Sequence, residues 1–187
     1  MKHISLLMTV IFSITLAALP VSAQTMDGYT LNPGDELHIS VWREDTLDKE
    51  ITVLPDGLIT FPLIGSVSVV GVSSVELEKI IEDKLAETIP GAEVTVLVLS
   101  VSGNRVYVIG KVVRPGEFIM SSQMTIAQVL SLAGGLDRFA NGGSIKVQRI
   151  EKGKVTYFEY DYGDLLSGKN IASMSFILKA GDVVIVP

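Results

Sequence analysis

Apolar and polar positions alternate over short stretches of this chain. Leu37, Ile39 and Val41 alternate with His38, Ser40 and Trp42, the period of a strand with one buried face. The cluster Asn32-Pro33-Gly34-Asp35 in front of them is a turn, in which Pro33 presets φ and Gly34 supplies positive φ. Residues 51–54 and 58–63 read as further strands, joined as a hairpin by the turn Pro55-Asp56-Gly57. The period then changes. Leu77, Ile80, Ile81 and Leu85 fall on one helical face, with Glu78, Lys79, Glu82, Asp83 and Glu87 on the other. Ser73 and Glu76 have the spacing of a capping box, and Pro90-Gly91 stops the segment. Residues 94–101 are apolar on both faces, the pattern of a strand in the middle of a sheet.

Ser102-Gly103-Asn104 marks a boundary, after which the scheme repeats in a different order. A strand at 106–109 leads through Arg114-Pro115-Gly116-Glu117 into an apolar segment at 118–120. Thr125 and Gln128 form a second capping box, with Ile126, Val129, Leu130 and Ala133 as its buried stripe. Gly134-Gly135 ends this helix with residues suited to left-handed φ. Strands follow at 144–150 and 155–160 around Lys152-Gly153, and at 183–186. Gly181-Asp182 precedes the last strand as Gly34-Asp35 precedes the first, either a weak internal repeat or, the favoured reading, one common turn used twice. The predicted fold class is α+β, as two small mixed domains.

The first segment has another character. Lys2 is its only charge, residues 4–19 are almost wholly apolar, Pro20 interrupts them, and Val21-Ser22-Ala23 supplies small residues for a signal peptidase. Residues 1–23 therefore read as a cleaved secretory signal, the alternative being an uncleaved anchor of about 20 residues. The chain has no cysteine, which removes disulfides, thiol nucleophiles, thiolate metal sites and lipid attachment through cysteine, so the secreted protein is not expected to be a lipoprotein. A net charge of -6 without a basic cluster argues against nucleic acid.

Candidate chemistry is sparse. His38 is the only histidine beyond the signal, and a lone strand histidine fits a half-buried structural role better than that of a base. Gly110-Lys111 is not a phosphate loop, because Arg105 stands where the first glycine belongs and Val112 where a hydroxyl should be. Asp35, Asp56, Glu117 and Asp182 could be weighed as a glycosidase pair, but each adjoins a glycine in a turn, where a carboxylate caps local amides. Trp42 and the other aromatics read mainly as core. No catalytic, metal or cofactor site is expected.

Two groups of residues carry a resemblance. Tyr29, Leu31, Pro33, Gly34, Asp35, Leu37, Ile39, Val41 and Trp42, followed by Val53, Pro55, Asp56, Gly57, Ile59, Phe61, Pro62 and Gly65, resemble the opening motifs of the bacterial polysaccharide biosynthesis/export family. Val106, Val108, Gly110, Val112, Pro115, Gly116 and Phe118, then Gly134-Gly135 and Gly181-Asp182, resemble an SLBB domain, a soluble-ligand-binding β-grasp module. The resemblance implies a signal at 1–23, a polysaccharide export domain at 24–102 and an SLBB domain at 103–187. It implies no enzyme and no cofactor. It implies a homo-oligomeric ring through which a polysaccharide leaves, in the periplasm and associated with the outer membrane. The ring would join an inner-membrane polysaccharide co-polymerase to an outer-membrane exit. Larger family members carry a lipid-bearing cysteine and a C-terminal amphipathic helix. This sequence has neither, so a separate outer-membrane exit protein is expected and no pore from this chain alone. The other reading kept open is a monomeric periplasmic sugar- or peptidoglycan-binding module without an export role.

Overall fold

The computed structural model describes residues 28–169 and 176–187, so the signal and its cleavage point lie outside the described residues. The chain forms two α+β units, each with its own apolar core. Among the described residues no helix is long and apolar enough to cross a membrane.

The first unit comprises β1 (Glu36–Val41), β2 (Lys49–Thr52), β3 (Leu58–Phe61), β4 (Gly65–Ser68), α1 (Ser74–Leu85) and β5 (Val94–Ser100). β1 is the centre of an antiparallel sheet ordered β2-β1-β5, and its alternation puts Leu37, Ile39 and Val41 inward. They meet Leu77, Ile81 and Leu85 of α1 and Ile59, Phe61 and Val67 of the β3–β4 pair. The Ser73 hydroxyl accepts from the Glu76 amide, and the Glu76 carboxylate accepts from the Ser73 amide at 2.8 Å, closing the capping box. That amide holds the Glu76 carboxyl below the usual carboxylate range.

Two elements depart from the sequence expectation. β3 forms its hairpin with β4, in the register Leu58↔Ser68 and Phe61↔Gly65, and not with the strand before it. Pro55-Asp56-Gly57 does turn the chain, through Gly57 N–H to the Leu54 carbonyl at 2.8 Å. The hydrogen-bonding side of β2, however, is occupied by β1, and this pairing continues to Val53, which donates to the Asp35 carbonyl at 2.9 Å. Secondly, β5 is an edge strand. Val94 and Val96 face the core, while Leu97 and Leu99 are 53% and 51% exposed on a face that nothing covers among the described residues.

The open edge of β5 is partly closed by α1. The Glu82 carboxylate accepts from the Val94 amide and the Glu78 carboxylate from the Val96 amide, both at 3.0 Å. One helical turn separates the two glutamates, which matches two residues along the strand. These carboxylates occupy amides on which another strand could otherwise pair. Replacing both with alanine is expected to preserve α1 but to cost roughly 1 kcal/mol per lost bond. Exchange of the Val94 and Val96 amides, followed by NMR, should accelerate about tenfold if each opening is eased by ~1.4 kcal/mol. Unchanged exchange at both would mean that these bonds do not close the edge.

The second unit comprises β6 (Arg105–Gly110), β7 (Gly116–Ile119), α2 (Ile126–Leu132), β8 (Ile145–Glu151), β9 (Lys154–Tyr160), α3 (Tyr162–Ser167) and β10 (Val183–Val186). The sheet order is β7-β6-β10-β8-β9, with β10 parallel to β6 and the other neighbours antiparallel. Val106, Val108, Val147, Val184 and Val186 face Ile126, Val129 and Leu130 of α2 across one core. The Thr125–Gln128 capping box starts α2. Lys152 and Gly153, at φ 51° and 76°, give the β8–β9 hairpin the two positive φ values of a tight turn. α3 has no counterpart in the sequence reading. It is six residues long, capped by Asp161 and closed by Gly168 at φ 66°, too short to establish a helical period.

Candidate functional site

Both Gly-Asp turns are built alike. Asp35 Oδ2 accepts from the Asn32 amide at 2.8 Å, and Asp182 Oδ2 accepts from the Lys179 amide at 2.9 Å, three residues back in each case. Gly34 and Gly181 adopt φ values of 96° and 85°, and both aspartates are fully buried. They differ in what else they hold. Asp35 accepts from the Tyr29 hydroxyl and, at 2.9 Å, from the amide of Gly103 in the segment joining the units. Burial, and then the Asp35 carboxylate, pushes the Tyr29 hydroxyl well above its usual range, so it remains a donor. Asp182 instead takes two bonds from Arg149, Nε to Oδ1 at 2.8 Å and Nη2 to Oδ2 at 2.7 Å.

The other motif residues have scattered places. Asp56 Oδ1 accepts from the Leu58 amide at 3.1 Å, beside Pro55 and Gly57, whose φ is 79°. Pro62 and Gly65 belong to the β3–β4 turn, and Pro115 precedes Gly116 at the start of β7. Gly110 ends β6 against Val186 of β10, and Gly134 and Gly135 close α2 at φ 82° and 86°. Glu117 does not cap its turn. It lies in β7 and pairs with Arg105 at 3.2 Å, because strand alternation turns it outward beside that guanidinium. The four weighed carboxylates are thus individually engaged, and His38 pairs with Asp48 at 2.5 Å on the outer side of β1. Among the described residues no three His, Asp or Glu side chains gather as a metal site.

Two surfaces remain. One lies across the outer side of the second sheet. The pairings Glu117↔Tyr107, Tyr107↔Val183, Val183↔Gln148 and Gln148↔Tyr157 run one row over all five strands. Adjoining rows add the pairs Ile109↔Ile185 and Ile150↔Val155. Tyr107, Ile109, Ile150, Val155 and Tyr157 are all exposed there, because α2 covers only the opposite face.

The other surface is at the end of β1. Trp42, expected to pack, is 68% exposed, because α1 and the β3–β4 pair occupy the inner face of the first sheet and, among the described residues, nothing lies on the outer one. It borders a cleft of about 400 Å³ with Ser40, Val41, Arg43, Asp45, Glu93 and Thr95. The Trp42 amide donates to the Glu93 carbonyl at 2.9 Å, so its backbone extends the β1–β5 pairing and is fixed. Sequence parity indicated the outer face for Trp42. That the outer face stays open depends on the topology.

Comparison with known proteins gives the family. Residues 23–99 match the polysaccharide biosynthesis/export protein family and residues 105–159 match the SLBB domain. The chain is 33% identical over 145 residues to the polysialic acid transport protein KpsD of Escherichia coli, covering 75% of this chain and 25% of that protein. It is 30% identical over 129 residues to the EPS I polysaccharide export outer membrane protein EpsA of Ralstonia solanacearum, covering 68% of this chain and 33% of that one. The exopolysaccharide production protein ExoF of Rhizobium meliloti is 28% identical over 142 residues. The chain thus spans a quarter to a third of the length of these relatives. With the two matches in sequence on two α+β units, the chain belongs to the polysaccharide biosynthesis/export protein family.

Proposed function

We propose that this protein is a non-enzymatic component of an exopolysaccharide or capsule export machine. Secretion removes residues 1–23, and the protein resides in the periplasm in association with the outer membrane. Residues 24–102 form the export domain and 103–187 the SLBB domain. Copies close into a homo-oligomeric ring around the polysaccharide, between an inner-membrane co-polymerase and a separate outer-membrane exit protein. The similarity to a polysialic acid transport protein, a polysaccharide export outer membrane protein and an exopolysaccharide production protein supports the export role.

The observation that carries the assembly is the open face of the second sheet. Tyr107, Ile109, Ile150, Val155 and Tyr157 form an exposed apolar surface on an otherwise acidic protein. An apolar surface of this kind favours a protein contact. Identical subunits that meet through unlike faces close a ring when the rotation between them permits it, and a closed ring gives a hydrated polymer a continuous polar passage. Light scattering should find the secreted chain as a defined multimer. Ile109→Glu, on the outer face, should yield a folded monomer that fails to restore polymer release to a strain lacking the gene. N-terminal sequencing of the periplasmic protein should begin Gln24-Thr25-Met26. A wild-type chain that stays monomeric yet binds sugar or peptidoglycan would favour the alternative module.

A further inference from the structure

We infer that the cleft beside Trp42 is a saccharide subsite for a neutral hexopyranose segment, with the indole as its platform. The inference rests on the export reading and names the ligand of the first unit's outer face. Trp42 is the only tryptophan of the chain, and it stands 68% exposed on a position tied to β5 through the Glu93 carbonyl. An indole left in water forgoes a large apolar burial, and a fixed backbone prevents its retreat into the core. The next residue, Arg43, is held at φ 65°, a left-handed conformation uncommon for a long side chain. The turn is closed by the Glu44 amide on the Val41 carbonyl at 3.0 Å and is followed by a short helical turn whose Leu47 is buried. Such local strain persists where the surroundings impose it, and it marks sites where a side chain has to be aimed.

The neighbours match the chemistry of a sugar ring. A pyranose presents a face of weakly positive C–H groups, which lies on the negative face of an indole, and a rim of hydroxyls that both donate and accept. The cleft is lined by Ser40 and Thr95, cross-strand partners in the sheet, and by Asp45, Glu93 and Arg43, residue types that offer hydroxyls, carboxylate acceptors and a guanidinium donor. Two carboxylates against one guanidinium leave this cleft acidic, as the whole chain is at net charge -6, which favours a neutral segment over an acidic one. A contact with a second copy would put apolar groups around the indole and charges at the rim. The second sheet's outer face has that character and the Trp42 cleft does not.

Because Trp42 is the sole tryptophan, its emission reports this cleft alone. The full secreted chain is titrated with maltohexaose, cellohexaose and a hexamer of galacturonic acid, up to millimolar concentration. A saturable blue shift with a neutral hexamer, and none with the acidic one, is expected. By calorimetry Trp42→Phe should bind more weakly and Trp42→Ala at least about tenfold more weakly, with an unchanged thermal melt. No saturable response to either neutral hexamer, or a stronger response to the acidic hexamer, overturns the subsite. So does a shift that follows protein concentration without sugar, which would place the indole against a second copy. The export reading is tested apart, by polymer release from a strain lacking the gene. Release restored equally by wild type and Trp42→Ala, with no sugar response, rejects the subsite and leaves the export role standing. Normal release without the gene rejects the export role, while the titration still decides the cleft.

Discussion

Gly110→Ala is expected to destabilise the second unit by about 3 kcal/mol, the sum of a left-handed backbone penalty and a forced displacement in a packed sheet. Gly110 adopts φ 95°, and a Cβ built on it would lie 2.0 Å from the carbonyl oxygen of Val186. That oxygen already accepts from the Lys111 amide at 2.8 Å, so it cannot turn aside without breaking a bond. Val186 cannot move as a whole either, because β10 lies between β6 and β8 and its side chain is in the core. Gly135→Ala is the matched control. Its φ is 86°, but a Cβ there meets nothing within 4 Å, leaving only the conformational cost of about 1–2 kcal/mol. Urea denaturation of the two variants separates the contributions. Equal losses would show that φ alone governs Gly110 and that the β6–β10 pair can open to admit a methyl group.

What could be read from the sequence divides along the range of the interactions. The helix starts at Ser73 and Thr125 depend on partners three residues away, so the segment itself contains them, and both capping boxes are present. The α+β class followed from the change between two-residue and helical periods, and the division into two units from the turn residues Ser102-Gly103-Asn104. Pairing is different. That β3 chooses β4, or that β10 enters between β6 and β8, depends on which hydrogen-bonding edge is vacant, which no single segment encodes. An apolar stretch such as β5 gives the same pattern whether it is central or at an edge, and its protection by Glu78 and Glu82 joins residues 18 and 12 apart. The bond from Gly103 to Asp35 spans 68 residues. Trp42 was placed on the correct side of its strand, but the emptiness of that side belongs to the assembled unit. Arg149 was legible and missed: it follows Ile145 and Val147 at an inward position, and an arginine there requires a carboxylate within the fold.

That requirement gives the other large effect. Arg149→Met is expected to cost about 3 kcal/mol or more, because it strands the Asp182 carboxylate, which is fully buried. The Lys179 amide would remain to it, at 2.9 Å, and one neutral donor does not balance a buried charge. Arg149 does more than supply charge. Its Nη2 also donates to the Ile177 carbonyl at 3.1 Å, and its guanidinium lies 5.3 Å and 5.1 Å from the ring centres of Phe158 and Phe176. The planar fork thereby joins β8, the turn before β10 and two aromatic side chains, and the Asp182 bonds hold its proton more tightly than in a free arginine. An ammonium can reproduce neither the two parallel bonds nor the stacking, so Arg149→Lys should recover less than half of the loss. Arg149→Met with Asp182→Asn should be more stable than the sum of the single changes by about 2 kcal/mol, since the second change removes the stranded charge. Urea midpoints of the four variants provide the cycle. Additive losses, or a lysine variant within ~0.5 kcal/mol of wild type, would show that the second Gly-Asp turn is held by its backbone bonds and needs no counter-ion.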